Sequence, residues 1–137
     1  MCLHVVDETP TTNRKTGYKV FSTQSDYREL PRGKVGGQYF NTIYKLGDWN
    51  KSTAGVVEKD FYSFDVVTKY PMGFHIFLTT LAAQLWSIHS PALVIHRVAF
   101  REVVATGTIK YRSNCIGGET HKKVVVARQM KVLERVS

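Results

Sequence analysis

The sequence predicts an α+β fold. A single domain spans residues 1–137, with an antiparallel or mixed sheet of about six or seven strands and one main helix, about residues 79–89, packed on one face. Three observations lead there. Short runs rich in β-branched and aromatic residues recur along the chain. The connections between most of them are too short for the crossovers that parallel neighbours need. Only one stretch combines helix-forming residues with a start and a stop.

In order, "MCLHVV" reads as a strand and "DETPTTNRKTG" as a polar loop. "YKVF", within residues 17–22, alternates as a second strand. "STQSDYRELPRGKVGG" is irregular, since Ser25 offers a cap for one helical turn but Pro31 and three glycines interrupt anything longer. "QYFNTIYKLGDWN" has strand composition ending at Gly47–Asp48, and "DFYSFDVV" is either a strand or an aromatic loop on the core. "GFHIFL" is a strand. "TTLAAQLWSIHSP" is the helix: Thr79 or Thr80 caps it, Pro91 stops it, and Leu81, Leu85 and Ile88, widened by Trp86, form its apolar stripe. From residue 93 the pattern is extended, interrupted by the turn-rich "NCIGGETH", and "KKVVVARQMKVLERV" closes the chain as one strand or two.

At 137 residues the chain is long enough to bury an ordinary core. Nineteen Lys and Arg against eleven Asp and Glu leave a formal charge of +8, which favours anionic partners. Cys2 and Cys115 are far apart and form no CxxC pair, so neither a disulfide framework nor a zinc site is expected. No run approaches the roughly 20 apolar residues of a membrane helix, and the first ten residues lack a secretion signal. No membrane association and a reducing, cytoplasmic setting are expected.

His75 lies in "GFHIF", where Phe74 and Ile76 share one face of the strand and His75 and Phe77 the other. If the helix covers Phe74 and Ile76, His75 faces the opposite surface, where a neutral imidazole serves either as a donor to an anion or as a scaffold hydrogen bond. His4, His89, His96 and His121 show no metal-ligand spacing, and no phosphate-binding loop or nucleophile elbow is present. No catalytic residue, metal or cofactor is therefore assigned. The cations are more informative. Arg97 and Arg101 share a strand face with Ile95 and Ala99; Lys110 and Arg112 flank Tyr111; Lys122, Lys123, Arg128 and Lys131 follow. Gathered on one sheet face, with His75 nearby, Arg97, Arg101, Lys110, Arg112, Lys122, Lys123 and Arg128 would bind an anion or a partner, arginine gripping phosphate or carboxylate through its planar fork. Tyr39, Phe40, Tyr44, Tyr62 and Phe64 are candidate stacking platforms for nucleic-acid bases.

The order "GYKVF", then "YPMGFHIF" leading into a short helix, then "VVVARQMKVL" resembles small uncharacterised accessory proteins of tailed phages. The resemblance implies an anti-defence role in the host cytoplasm. The protein would act by stoichiometric binding of a host defence protein or a phosphorylated signalling nucleotide. "GFHIF" before a helix is also similar to the middle of ADP-ribosyltransferase-like folds, which implies an alternative as an enzyme using His75, with Thr79 the other matching position. The chain departs from that pattern in lacking a Ser-Thr-Ser strand and an ExE or QxE pair, since Glu102, Glu119 and Glu134 stand isolated. A second alternative is nucleic-acid binding. A free sheet edge leaves room for a homo-oligomer.

Overall fold

The computed structural model describes residues 3–25, 28–31, 33–37, 42–61, 66–87, 92–112 and 119–136. Its framework is a long antiparallel hairpin made by β11 (Leu93–Arg112) and β12 (Glu119–Arg135). The β-branched content of both strands favours this extended pairing. Ahead of them come β1 (Val5–Val6), β2 (Thr16–Ser22), β3 (Gln24–Ser25), β4 (Arg28–Glu29), β5 (Lys34–Gly36) and β6 (Ile43–Lys45). Next are β7 (Trp49–Lys51), β8 (Val56–Phe61), β9 (Val66–Pro71), β10 (Phe74–Phe77) and the helix α1 (Thr80–Ser87). Strands dominate the described residues and the helix is short, so the fold is more sheet-dominated than one built around a main helix. The strand count exceeds expectation because several strands are only two or three residues long, below what hydrophobic alternation can signal.

Among the described residues all the pairings are antiparallel. One edge of β11 takes β2 over Leu93–Ala99 and β1 at Gly107 and Thr108. The outer edge of β12 takes β10 over Val124–Ala127 and β7 over Gln129–Lys131. β10 then meets β2 where Phe77 pairs with Tyr18, so the path β2–β11–β12–β10 returns to its start. Gly17 makes this seam fit: a Cβ there would lie 2.5 Å from the Phe77 carbonyl oxygen and 2.6 Å from an Ile76 methyl. The hairpin bends at register shifts between His96 and Val98 and between Val103 and Ala105. Beside the second, Glu102 adopts φ 59°, the left-handed region.

Closure buries both faces of the central strands. Val124 and Val126 enter a cluster with Leu3, Tyr70, Phe77 and Ile95, while Val125 and Ala127 enter another with Phe21, Phe74, Ile76 and Phe100. That is why "VVVA" reads as a continuous apolar run rather than an alternation.

Helix α1 lies within the expected range, and Thr79 caps it, its Oγ1 accepting from the Ala82 amide at 3.2 Å. Two expectations need correction. The helix covers the Phe77 side of β10, not Phe74 and Ile76, because those two already fill the interior of the closed sheet. Its buried stripe is Ala82 and Ala83 with Trp86 against Phe77, whereas Leu81 is 53% exposed. The two small alanines let the helix backbone lie close to the sheet. Ile88 falls outside the described residues. Residues 51–70, ambiguous in sequence, contain β8 and part of β9, which form a two-stranded sheet of their own anchored on the core through Val57 and Tyr70. Among the described residues no helix is long and apolar enough to cross a membrane.

Candidate functional site

Because the helix lies on the Phe77 side, His75 faces protein rather than an open cleft. Its Nε2 sits 2.8 Å from the hydroxyl of buried Tyr70, and Tyr70 Oη in turn accepts from the Leu3 amide at 2.9 Å. The ring also bonds the Gly73 backbone carbonyl, which can only accept, so the single proton of the neutral imidazole goes there and the tyrosine hydroxyl donates to Nε2. Burial pushes the imidazole down to about 3, with the Lys19 charge adding to the effect. Lys19 Nζ donates to the His75 carbonyl at 2.9 Å, and burial lowers that ammonium to about 8. His75 is thus a neutral imidazole with both ring nitrogens engaged. The geometry gives it a scaffolding role.

Arg97 and Arg101 do share a face, but their surroundings differ. Arg97 is matched by Glu134, with Nε 2.7 Å from Oε1 and a terminal amino group 3.3 Å from Oε2. This two-point ion pair neutralises it. Among the described residues Arg101 has no carboxylate partner. Its Nε–H donates to Gln129 Oε1, and its guanidinium carbon lies 4.0 Å from the centre of the Trp49 ring. Lys131 Nζ is 4.8 Å from the same ring. Both contacts are cation–π distances.

Register explains the gathering. Lys51 pairs with Gln129 and Gln129 with Arg101, so these three form one cross-strand row over β7, β12 and β11. Trp49, Lys131, Ala99 and Thr16 form the next row on the same face. Strand spacing puts the backbones of Lys51 and Arg101 about 10 Å apart. A single half-exposed indole therefore sits among three cations.

Beside this face opens a cleft of about 570 Å³ lined by Arg14, Lys15, Trp49 and Arg101, together with Pro10, Thr12 and strand residues. Its outer wall is the loop between β1 and β2, strapped onto β11 by hydrogen bonds. The Asp7 amide donates to the Thr106 carbonyl at 2.9 Å, and the Thr106 hydroxyl donates to Asp7 Oδ2 at 2.6 Å. The Thr11 amide donates to Thr106 Oγ1 at 3.2 Å, and the Phe100 amide to the Lys15 carbonyl at 2.9 Å. These straps hold Arg14 and Lys15 next to Arg101. Among the described residues no carboxylate lines the cleft, which is a concavity with three cations and one indole.

The other sequence-predicted cations are not brought here. Lys122 and Lys123 pair with Ile109 and Thr108, roughly 23 Å of strand beyond Arg101. As neighbours in a strand they project to opposite faces. Arg128 occupies the register step across from Glu102, between Ala127 and Gln129. Lys110 and Arg112 lie in the part of β11 paired with His121 and Glu119, and their side chains are outside the described residues. Of the proposed aromatic platforms, Tyr44 packs edge-on against Phe21 and Phe74 in the core, and Tyr39, Phe40, Tyr62 and Phe64 lie outside the described residues.

Trp49, Gln129, Lys51, Arg14 and Lys15 were missed from sequence. The basic pair in "NRKTG" and a tryptophan just after the Gly47–Asp48 turn were the available signals. Only topology joins them. Comparisons with protein families, with curated proteins and with solved structures return no match to this chain.

Proposed function

We propose that this protein binds a phosphorylated, ring-bearing ligand, a nucleotide, in the cleft between the β1–β2 loop and the Trp49 face, and acts by stoichiometric capture. One observation carries the reading: of two arginines on one strand face, Arg101 meets no carboxylate among the described residues and is held against Trp49 at the rim of a cation-lined cleft. The ligand's phosphate would take the terminal amino groups of Arg101 with Arg14 and Lys15, and its planar ring would pack beside the indole. A volume of about 570 Å³ lies in the range of small-molecule sites. The resemblance to phage accessory proteins supplies a setting, in which the captured molecule is a host signalling nucleotide. An acidic face of a host defence protein is the larger target the same cations would accept.

Calorimetric titration with AMP, ATP, a cyclic mononucleotide and a cyclic dinucleotide tests this. The expected result is a saturable isotherm for at least one of them. Arg101→Ala should weaken it by about 10- to 100-fold, the worth of a charge-assisted hydrogen bond. No heat from any nucleotide would overturn the proposal.

The cross-strand row extends the charge beyond the cleft to Lys51, which favours a second reading, single-stranded nucleic acid crossing the face. Affinity for an oligonucleotide that falls steeply and linearly in log–log salt, with no mononucleotide binding, would select it.

A further inference from the structure

We infer that Glu102 and Gln129 are positioning residues that set Arg101 for its ligand; the inference rests on the nucleotide reading for its binding arm. Gln129 Nε2 donates to Glu102 Oε1 at 2.7 Å, while its Oε1 accepts from Arg101 Nε. The two bonds fix which way the amide points. With Nε occupied by Gln129 and the π face covered by Trp49, Arg101 is left to present its two terminal amino groups end-on, the edge that matches two oxygens of one phosphate. Glu102 stands one residue removed from the guanidinium. It stiffens Arg101 through an amide without cancelling its charge, whereas Glu134 cancels that of Arg97 by direct contact.

The backbone gives an independent sign. Glu102 is the one non-glycine with positive φ among the described residues, and it lies beside a register shift in β11. An exposed glutamate kept in a disfavoured conformation next to a cleft is the pattern of a residue retained for where it puts its side chain.

The test uses two readouts in a Trp86→Phe background, where Trp49 is the sole tryptophan. In ligand-free protein, Gln129→Met should raise iodide quenching of Trp49 and shift its emission, because the guanidinium is no longer held over the ring. Against the tightest nucleotide of the panel, the same variant should bind about tenfold more weakly with an unchanged melting temperature. The exchanged pair, Glu102→Gln with Gln129→Glu, rebuilds the relay with donor and acceptor reversed but sets a carboxylate directly on Arg101, so it should restore the ligand-free fluorescence and leave nucleotide binding weak. Glu102→Ala, at an exposed position, replaces Gln129→Met where the latter fails to fold. Unchanged Trp49 quenching and emission would overturn the inference, as would full nucleotide affinity in Gln129→Met or an exchanged pair whose Trp49 fluorescence stays like that of Gln129→Met. If the parent binds no nucleotide, the proposed function fails, and the ligand-free fluorescence still decides the relay.

Discussion

Acid should destabilise this protein through His75, starting well above the range where carboxylates titrate. In the unfolded chain the imidazole takes up its proton near 6.5; in the folded chain, buried against Tyr70 and Gly73, it does so only at about 3. Between those values the unfolded state binds more protons, so stability falls as pH falls. The contribution is complete above 6.5 and exhausted below about 3. The gap of about 3.5 units, at about 1.4 kcal/mol per unit, amounts to at most ~5 kcal/mol, a large share of the stability of a small domain. The perturbation is His75→Gln, which cannot titrate. Urea unfolding at pH 7.5, 6, 5 and 4 gives ΔG for both proteins, and their difference removes contributions from carboxylates and from His96. His75→Gln should start less stable at pH 7.5, because it loses the fitted hydrogen bonds. It should then converge on the parent by roughly 1.4 kcal/mol per pH unit below 6. Parallel profiles would refute the argument, since they would mean the imidazole is protonated equally easily in both states.

Lys19 works in the same sense at higher pH: its ammonium, lowered to about 8 against 10.5 unfolded, makes the fold more stable as pH rises from 8 to 10.5. Lys19→Met should therefore stabilise the protein at pH 7 by about 1–3 kcal/mol, and chemical denaturation at pH 10.5 should show that gain gone. Gly17→Ala should cost about 1–3 kcal/mol in the same assay, because the added methyl strikes the Phe77 carbonyl at the seam of the sheet. Arg97→Ala should change stability by no more than ~1 kcal/mol and leave nucleotide titrations as they were, since its ion pair is exposed and already neutral. Glu102→Gly should raise stability by about 1 kcal/mol in urea titrations by relieving the positive φ, while weakening nucleotide binding.

Much of the sheet was readable because the physics is local. "GFHIF", "LVIHRVAF" and "VVVA" have strand composition wherever they pack, and Thr79 has a cap's chemistry from its place before "TLAAQLW". What resisted was whatever depends on closure. Alternation shows that Phe74 and Ile76 oppose His75 and Phe77, but a sheet that returns on itself buries both pairs, so the pattern alone does not tell which face the helix takes. The site shows the same limit. Arg97 and Arg101 are equivalent in sequence. Their difference comes from Glu134 and Gln129, which arrive on β12 through a register displaced between His96 and Val98. Trp49 arrives on a three-residue strand that no periodicity marks.

The same bend that shapes the sheet thus separates the two arginines. A hairpin running straight through residue 102 would keep one register along β11 and β12; the irregular step at Glu102–Val104 lets the hairpin curve into a closed path and turns the Glu102 carboxylate toward Gln129. Architecture and site meet in one residue, so substitutions there should move stability and binding in opposite directions. Residues on the helix side, such as His75, Tyr70 and Lys19, should move stability alone, because their polar atoms are committed to one another and to the backbone. That division follows from which partners each charge already has: a cation matched by a carboxylate is part of the scaffold, and one held in place by an amide and an indole remains able to accept an anion.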